Sequence, residues 1–333
     1  MTDWIKNILQ AKQRVALPIM THPGIERIGK HVIDAVTDGE IHYQAIKSIA
    51  DEYNTGACTV IMDLTVEAEA FGAQIDFTQD EVPNVVGRLV HDQDSVNALT
   101  IPDLTKGRVP EYLKANELAV KNITDRPILA GCIGPYSLAG RLYDMSEIMI
   151  AIYIEPDVIH TLLEKCTTFI QNYCARLKEI GVHGVIMAEP AAGLLSDEDC
   201  QQFSTDYIRR IVDKLQDDNF SIILHNCGNK GQCTQAMINS GAAGLHFGNA
   251  INMKEALEQC PSDILVMGNL DPVGILKQAT PEAVYAATTD LLMKTKQYNN
   301  FVISSGCDMP PHTPQNNINA FFEAVNRYNN QYK

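Results

Sequence analysis

Short apolar runs rich in β-forming residues recur along the 333-residue chain, and segments with helical periodicity separate them. There are eight such runs, at 17–21, 58–63, 128–133, 184–189, 221–226, 244–248, 264–269 and 301–306. Strict alternation of strand and helix requires parallel pairing through crossover helices. Eight such units predict an α/β fold of the closed (β/α)₈ type, a TIM barrel, and the competing arrangement is a doubly wound open sheet.

The helical segments support a single domain over residues 1–333 with extra N-terminal helices. They are predicted at 155–180, 197–215, 253–259, 281–296 and 314–328. Two of them begin with a capping signal, Ser196 before three acidic residues and Thr280 before Pro281. The stretch 72–122 is longer than one crossover requires, so we predict an insertion there that forms a lid.

Charge and cysteine content limit the class of partner and the compartment. The chain has 26 Lys and Arg against 41 Asp and Glu, a net charge of −15. Nucleic acids and anionic membranes require a basic face, so neither is an expected partner. No secretory signal or membrane-spanning apolar run is present, and nine cysteines without disulfide-like spacing fit a reducing compartment. We therefore expect a cytoplasmic protein.

Polar residues follow nearly every predicted strand. In a parallel barrel the carboxyl ends of the strands meet on one face, which is where the active sites of this fold lie. Turn formation explains the glycines, prolines and asparagines of these segments, but a site better explains the ionisable groups. The ionisable candidates are His22, Asp63, Glu67, Glu69, Glu189, His225, Cys227, Asp271 and Cys307.

The segment His225-Asn226-Cys227 predicts a metal site. In an extended chain, residues two apart point the same way, so the imidazole and the thiol can bind one ion from the same side. Cys307 ends the last predicted strand and completes a set of one nitrogen and two sulfur ligands, which suits catalytic zinc with a fourth position open. The alternatives are a buried histidine with two core cysteines, and Cys233 as a substitute ligand.

Several motifs together resemble one known group. They are TVEAEAFGA at 65–73, GPYSLAG at 134–140, HNCGN at 225–229, MGNLDP at 267–272 and SSGCDMPPHTPQNNI at 304–318. The chain resembles the uroporphyrinogen decarboxylase superfamily, specifically its methylcobamide:coenzyme M methyltransferase branch. The resemblance implies a (β/α)₈ barrel with Zn²⁺ on a His-x-Cys and a distant Cys, which match His225, Cys227 and Cys307.

The resemblance also implies an activity and partners. A zinc-bound thiol would receive a methyl group from a methylated corrinoid carried by a separate small protein. The acceptor would be coenzyme M, a related thiol or a folate. The decarboxylase branch holds its polyanionic tetrapyrrole with an arginine-rich segment after the first strand, whereas residues 19–24 here read IMTHPG. Decarboxylation is therefore the alternative, and a non-catalytic barrel that binds zinc and corrinoid is the third possibility.

The remaining candidates receive roles around the predicted metal. Glu67 and Glu69, two apart after the second strand, are expected to face the ion together, and Glu189 and Asp271 are further candidate catalytic acids. His22, Asp63, His246 and Asn269 are expected to line the substrate pocket. For each of these the alternative is a structural role, in a turn, in a solvated loop or as a hydrogen-bonded core residue.

Overall fold

A parallel sheet forms the centre of the computed structural model, which describes residues 1–331. Seven parallel strands pair in the order β1-β4-β5-β6-β7-β8-β9, and β2 and β3 form a separate antiparallel hairpin. The bounds are β1 (Cys58–Thr59), β2 (Gln74–Asp76), β3 (Asn84–Val86), β4 (Ile128–Ile133), β5 (Gly184–Ala188), β6 (Ser221–Asn226), β7 (Gly244–Phe247), β8 (Leu265–Leu270) and β9 (Phe301–Ser305). The predicted (β/α)₈ architecture is confirmed.

The first predicted strand, 17–21, closes the barrel without forming a regular strand. Only Ala16 bridges to Ile303, while Leu17 N donates to Ile303 O at 2.9 Å. On the other side Gly56 N donates to Ala16 O at 2.8 Å, so the segment lies between β9 and β1. Pro18 has no N–H to donate, which interrupts the ladder at this position.

Helices surround the sheet and also precede it, as predicted. They are α1 (Asp3–Gln10), α2 (His22–Arg27), α3 (Val32–Thr37), α4 (Gly39–Glu52), α5 (Val66–Ala70), α6 (Gln93–Ala98), α7 (Val109–Asn122), α8 (Pro135–Tyr143), α9 (Met145–Ile154), α10 (Pro156–Ile180), α11 (Asp197–Cys200), α12 (Asp206–Leu215), α13 (Thr234–Asn239), α14 (Met253–Gln259), α15 (Pro281–Lys294) and α16 (Gln315–Gln331). No helix within residues 1–331 is long and apolar enough to cross a membrane.

Short non-α turns interrupt the predicted helical pattern. A π-helical turn, Gln201–Thr205, divides the predicted helix 197–215, and another follows β8 at Pro272–Lys277. A 3₁₀ turn, Pro190–Leu194, follows β5. Both predicted caps are present: Ser196 Oγ accepts from Asp199 N, and Thr280 Oγ1 accepts from Ala283 N. Because caps satisfy N–H groups that the first turn leaves unpaired, they fix where each helix begins.

The barrel interior changes from apolar to polar along its axis. Its amino-terminal part is packed with Leu17, Ile19, Ala57, Leu129, Ile186, Ile223, Leu265, Met267 and Val302, and α1 covers that end with Trp4, Ile5 and Ile8. Since alternate strand residues point inward, His225 follows Ile223 and Ser304 follows Val302 on the inner face. The polar layer therefore lies at the carboxyl ends of the strands.

The stretch 72–122 contains the β2–β3 hairpin, α6 and α7. Residues 81–84, at the tip of the hairpin, line the same cavity as His225 and Cys307. Part of this stretch thus lies at the carboxyl-terminal face of the barrel.

The close approach of β5 and β6 depends on Gly184. A Cβ at this position would lie 2.3 Å from the carbonyl oxygen of Ser221. We expect Gly184→Ala to lower the free energy of unfolding by about 2–3 kcal/mol, because backbone rather than a flexible side chain would have to move. Gly131→Ala in β4 is the matched control, since its Cβ would meet side-chain atoms of Val60 and Met62 at 3.1 and 3.2 Å. Urea denaturation should show the larger loss for Gly184→Ala, and equal losses would contradict the packing argument.

Candidate metal centre

Three predicted ligands come together at the carboxyl end of the barrel. His225 lies near the end of β6, Cys227 follows that strand, and Cys307 follows β9. One ligand atom from each residue lies within 4.8 Å of the other two. His225 is buried and the two cysteines are half-buried. β6 ends at Asn226, and a turn that begins at Cys227 brings its thiol close to His225, so the two residues meet although the backbone is not extended through both.

The imidazole of His225 has one nitrogen engaged and one free. Its Nδ1 lies 2.7 Å from Nδ1 of His246, whereas Nε2 has no hydrogen-bond partner within residues 1–331 although it is buried. A buried polar atom without a partner is costly unless something binds it. Burial lowers the pKa of His246 well below its ordinary value, so that ring is neutral at pH 7.

The donor set fits zinc. One imidazole nitrogen and two thiolate sulfurs are common zinc ligands, and neighbouring ligand atoms around tetrahedral zinc are about 3.6–3.8 Å apart, within the separation found here. The unpartnered Nε2 of His225 supplies the nitrogen. A hydrogen bond between the thiols lowers the pKa of Cys227 and raises that of Cys307 to about 12. Three protein ligands leave a fourth position for a substrate atom.

A cavity of about 310 Å³ opens onto the three ligands. Its wall consists of His22, Met62, Leu64, Glu81, Val82, Pro83, Asn84, Arg141, Ala188, Pro190, His225, Cys227, Cys307, Asp308, Pro310 and Pro311. Arg141 is the only lysine or arginine among them, and it makes no hydrogen bond or ion pair with any residue of the described chain, 1–331. Burial lowers its pKa, but a guanidinium stays charged at pH 7. Within residues 1–331, Arg141 is thus the one lysine or arginine of the wall, and the carboxylate of Asp63 attracts it without direct contact.

His22 and Asp308 form a second polar pair in this wall. His22 Nε2 lies 3.5 Å from Asp308 Oδ2, which also accepts from Met62 N at 3.2 Å. Burial lowers the pKa of His22 to about 4 and raises that of Asp308 well above its usual value. Burial thus favours the neutral form of each group. His22 Nδ1 and Asp308 Oδ1 have no protein partner in residues 1–331.

Two of the predicted site acids, Asp63 and Glu69, bind an arginine and do not face the three candidate ligands. Arg108 forms ion pairs with Asp63 and with Glu69, and its Nη2 donates to Thr65 Oγ1 at 2.7 Å. Tyr112 Oη donates to Asp63 at 3.0 Å. Neither Asp63 nor Glu69 contributes to the wall of the cavity. This buried network joins the loop after β1 to α7.

Glu67 and Glu69 do not point the same way, because they lie in α5. Residues two apart in a helix project about 200° from each other, unlike those in a strand. Glu67 is buried; its Oε1 accepts from Ile133 N at 2.9 Å, and its Oε2 has no partner among residues 1–331. Burial raises the pKa of Glu67 to about 7.

Glu189 binds the amino terminus of α8. Its Oε1 accepts from Tyr136 N at 2.7 Å and from Ser204 Oγ at 3.0 Å, and both of its oxygens lie near Ser137 N. A Cβ at Gly134 would lie 1.8 Å from Glu189 Oε2, so only glycine leaves room for the carboxylate. Burial raises the pKa of Glu189 to about 7. The motif GPYSLAG thus holds an internal acid, which lies outside the cavity wall.

Asn269 and Asp271 fix the backbone around the end of β8. Asn269 Nδ2 donates to Gly248 O at 2.9 Å and to Ile251 O at 2.8 Å. Asp271 Oδ1 accepts from Val273 N and Gly274 N, both at 2.9 Å, which caps the following π-helical turn. Neither side chain contributes to the cavity wall. Among the predicted pocket residues, His22 lines the cavity and His246 lies behind His225.

Sequence reasoning missed Arg141 and Asp308. Arg141 follows the GPYSLAG motif directly and lies in the last turn of α8, and Asp308 follows Cys307. In both cases the sequence showed only that the residue directly follows a predicted motif or ligand. This did not identify a site residue, because whether an arginine has an ionic partner depends on which acids lie near it in the folded protein.

The chain belongs to the uroporphyrinogen decarboxylase family, whose profile, described as uroporphyrinogen decarboxylase (URO-D), matches residues 13–328. The methylcobamide:CoM methyltransferase MtbA of Methanosarcina acetivorans is 29% identical over 278 residues, 82% of this chain and 80% of that protein. A uroporphyrinogen decarboxylase of Coxiella burnetii is 27% identical over 282 residues, 82% and 77% of the two chains. A solved methyltransferase from Methanosarcina mazei shares the fold, with a TM-score of 0.88, 21% identity and 98% coverage of each chain.

Because the pKa of Glu67 is raised to about 7, folding favours its protonated form. Its contribution to stability is present below the unfolded pKa of 4.5 and is lost as pH rises through 7. We expect Glu67→Gln, which has no charge to bury, to be more stable than the parent protein by about 3 kcal/mol at pH 9. Below pH 4.5 the difference should disappear.

Urea denaturation across this pH range measures the difference. Glu323→Gln is the control, since Glu323 is exposed on α16 and its substitution should leave the pH profile unchanged. A Glu67→Gln profile parallel to that of the parent protein would show that Glu67 is ionised in the folded state.

Proposed function

We propose that this protein is a zinc-dependent methyltransferase that moves a methyl group from a methylated corrinoid, carried by a separate small protein, to a thiol such as coenzyme M. The observation that carries the proposal is the ligand set at the cavity. His225, Cys227 and Cys307 converge there, and the buried Nε2 of His225 lacks a protein partner within residues 1–331. Similarity to a methylcobamide:CoM methyltransferase over 82% of the chain supports the corrinoid donor and the thiol acceptor.

Zinc, when bound, lowers the pKa of a coordinated thiol so that the thiolate forms near neutral pH. His225, Cys227 and Cys307 would hold the ion and leave one position for the acceptor sulfur. The thiol proton passes to solvent, the sulfur attacks the methyl carbon, and the cobalt–carbon bond breaks with its electron pair left on cobalt. Met62, Leu64, Pro190 and Pro310 give the cavity a largely apolar wall beside the three proposed ligands.

The size of the cavity supports separate roles for the two substrates. A volume of about 310 Å³ is at the small end of the range for small-molecule pockets. It suits a short thiol and does not hold a corrinoid macrocycle. The corrinoid therefore approaches from outside with its methyl group directed at the opening, an arrangement compatible with delivery by a separate carrier protein. Residues 81–84 of the insertion line the cavity, and we propose that they act as its lid.

Arg141 supports an acceptor with an anionic group. In a chain of net charge −15, a guanidinium without a protein partner in the cavity wall attracts an anion. Coenzyme M carries a sulfonate two carbons from its thiol, a length that fits a small cavity. A neutral thiol would leave Arg141 without a counter-charge. This observation favours coenzyme M or a similar acidic thiol over a neutral acceptor.

Decarboxylation of a tetrapyrrole is less well supported. Its carboxylates need several cations, and Arg141 is alone in the cavity. The two arginines near the first predicted strand are engaged elsewhere. Arg14 donates to the carbonyl oxygens of Tyr298, Thr295 and Lys296, and Arg27 pairs with Glu52 at 2.8 Å. Neither lines the cavity, so the charge needed to bind a polyanion is absent from its wall.

The distribution of thiols supports a cytoplasmic location. All nine cysteines lie among the described residues and all are free. Seven of them are buried, and the two half-buried ones are the proposed metal ligands Cys227 and Cys307. Free thiols in a metal site persist in a reducing compartment.

Metal content tests the ligand set. We expect purified protein to hold about one zinc per chain, and Cys227→Ala or Cys307→Ala to abolish it. His225→Ala should weaken binding strongly, because it removes the only nitrogen ligand. Cys233→Ala is the matched control: Cys233 is buried, its thiol faces the carbonyl oxygens of Ala192 and Leu195, and zinc content should be unchanged. Elemental analysis measures the result, and full occupancy in Cys307→Ala would refute this ligand set.

Methyl transfer tests the activity and the role of Arg141. We expect zinc-loaded protein to demethylate methylcobalamin in the presence of 2-mercaptoethanesulfonate, with a rate that depends on Cys307. The rate should rise with pH up to the pKa of the bound thiol and then level off, because only the thiolate attacks. Arg141→Leu should raise KM for this thiol by about 10–100-fold, the effect of removing a charge-assisted contact of about 1.5–3 kcal/mol.

Two comparisons make this assay specific. With 2-mercaptoethanol, which has the same chain length and no charge, Arg141→Leu should leave KM unchanged. Ultraviolet-visible absorbance follows the loss of methylcobalamin in each case. Metal-independent decarboxylation of uroporphyrinogen, unaffected by Cys227→Ala, would reverse the order of the two proposed activities. Zinc binding without methyl transfer to any thiol would instead favour the third possibility, a non-catalytic barrel that binds zinc and corrinoid.

A further inference from the structure

A chain of hydrogen bonds runs from His225 to the main chain at the closure of the barrel. His225 Nδ1 lies 2.7 Å from His246 Nδ1, and His246 Nε2 lies 2.9 Å from Ser304 Oγ. Ser304 Oγ lies 2.7 Å from the carbonyl oxygen of Leu17. His246 and Ser304 are buried, and neither lines the cavity. The chain therefore lies behind the proposed metal centre, on the side away from substrate.

The chemistry of its last member fixes the direction of every bond. A carbonyl oxygen only accepts, so the Ser304 hydroxyl donates its one hydrogen to Leu17 O. Ser304 Oγ then has only lone pairs left for His246, and His246 must donate from Nε2. A neutral imidazole carries one N–H, which leaves His246 Nδ1 as an acceptor. His225 Nδ1 therefore carries the proton that lies between the two rings.

The consequence for His225 concerns its other nitrogen. With its proton on Nδ1, the ring has a lone pair at Nε2, which is the buried atom without a partner in residues 1–331. The opposite orientation would place a proton on Nε2 and prevent it from binding a metal ion. If His246 were charged, its Nδ1 would also carry a proton and would donate to Nδ1 of His225, which reverses the bond between the two rings. A charged His246 would, however, be a buried cation with no carboxylate contact among the described residues.

We propose that His246 and Ser304 are positioning residues that hold His225 in its Nδ1–H tautomer, so that Nε2 is ready to bind the metal ion. The inference rests on the zinc-binding part of the proposed function and is independent of the methyl donor and acceptor. A ligand histidine commonly donates its second N–H to a carboxylate or a carbonyl. Here a neutral histidine and a serine relay that contact across β7 and β9 to Leu17.

Zinc affinity, measured by competition with a chromogenic chelator, tests the relay. We expect His246→Leu to bind zinc about 10–100-fold more weakly, the usual effect of losing a partner of a metal-binding histidine. His246→Gln should keep an affinity near that of the parent protein, because the amide oxygen accepts from His225 and the amide N–H₂ donates to Ser304. Ser304→Ala should also weaken binding, since His246 then has no acceptor to fix its own proton. Equal affinity in His246→Leu and the parent protein would overturn the proposal.

The tautomer can be measured without zinc. Two-bond ¹H–¹⁵N correlation spectra of metal-free protein labelled at histidine distinguish a protonated Nδ1 from a protonated Nε2. We expect His225 to be in the Nδ1–H form in the parent protein and in His246→Gln, and to lose this preference in His246→Leu. A parent protein with the proton on Nε2 would overturn the inference even if the barrel binds zinc. A parent protein that binds no zinc but shows the Nδ1–H form would refute the proposed metal function and leave the relay intact.

Near-ultraviolet circular dichroism and thermal unfolding of each variant provide the folding control. A structural role alone would lower stability without changing the tautomer. Only a positioning role predicts that His246→Gln retains both the zinc affinity and the tautomer while His246→Leu loses both.

Discussion

The parallel pairing of β6 with β7 determines how the proposed metal centre is built. In that register His225 lies directly beside His246, and both side chains point into the barrel. The alternation of side chains along β6 then places Ile223 in the apolar layer below and His225 in the polar layer above. Cys227 lies in the turn after β6, and Cys307 lies in the bend after β9. Strand pairing thus positions His225, and the short segments that follow β6 and β9 bring the two cysteines to it.

The charged groups at this face are divided between structure and chemistry. Arg108 forms ion pairs with the carboxylates of Asp63 and Glu69, and the backbone N–H groups at the start of α8 donate hydrogen bonds to the carboxylate of Glu189. Because these acids do not line the cavity, Arg141 has no acidic partner in direct contact there. Glu81 also lines the cavity, as do His22 and Asp308, whose pKa shifts favour their neutral forms. A cavity beside two sulfur side chains with one arginine in its wall suits a small anionic ligand better than a polyanion. Because one fold can serve different functions, the proposed activity depends on which side chains face the cavity.

The architecture and the clustering of His225, Cys227 and Cys307 could be predicted from the sequence. Alternating elements specify a parallel barrel, and polar residues after parallel strands meet at one end of it. Glu67 and Glu69 lie two positions apart, but α5 turns them away from each other. The sequence could not show this, since a short run after a strand can continue extended or begin a helix.

Other features depend on distant partners. Arg108 binds Asp63, which is 45 residues away along the chain, and Glu69, which is 39 residues away. No local sequence pattern predicts these ion pairs, because they form only when the chain folds. For the same reason, the sequence did not predict that Arg141 lies in the cavity wall without an ion pair. The interruption of the first strand at Pro18 could have been predicted from the sequence, because proline has no N–H to donate to the hydrogen bonds of a sheet. His246 was predicted to line the pocket, whereas its contact with His225 depends on the pairing of β6 with β7.

The closure of the barrel by the segment around Leu17 has a consequence for how the protein is made. Leu17 and Ser304 are separated by 287 residues, and the last ligand, Cys307, lies beyond Ser304. A ribosome must therefore release almost the entire polypeptide before the two ends of the barrel can meet. Until then Cys227 and Cys307 cannot come together. Assembly of the proposed metal centre therefore follows synthesis, and a chain truncated before β9 cannot bring the three candidate ligands together.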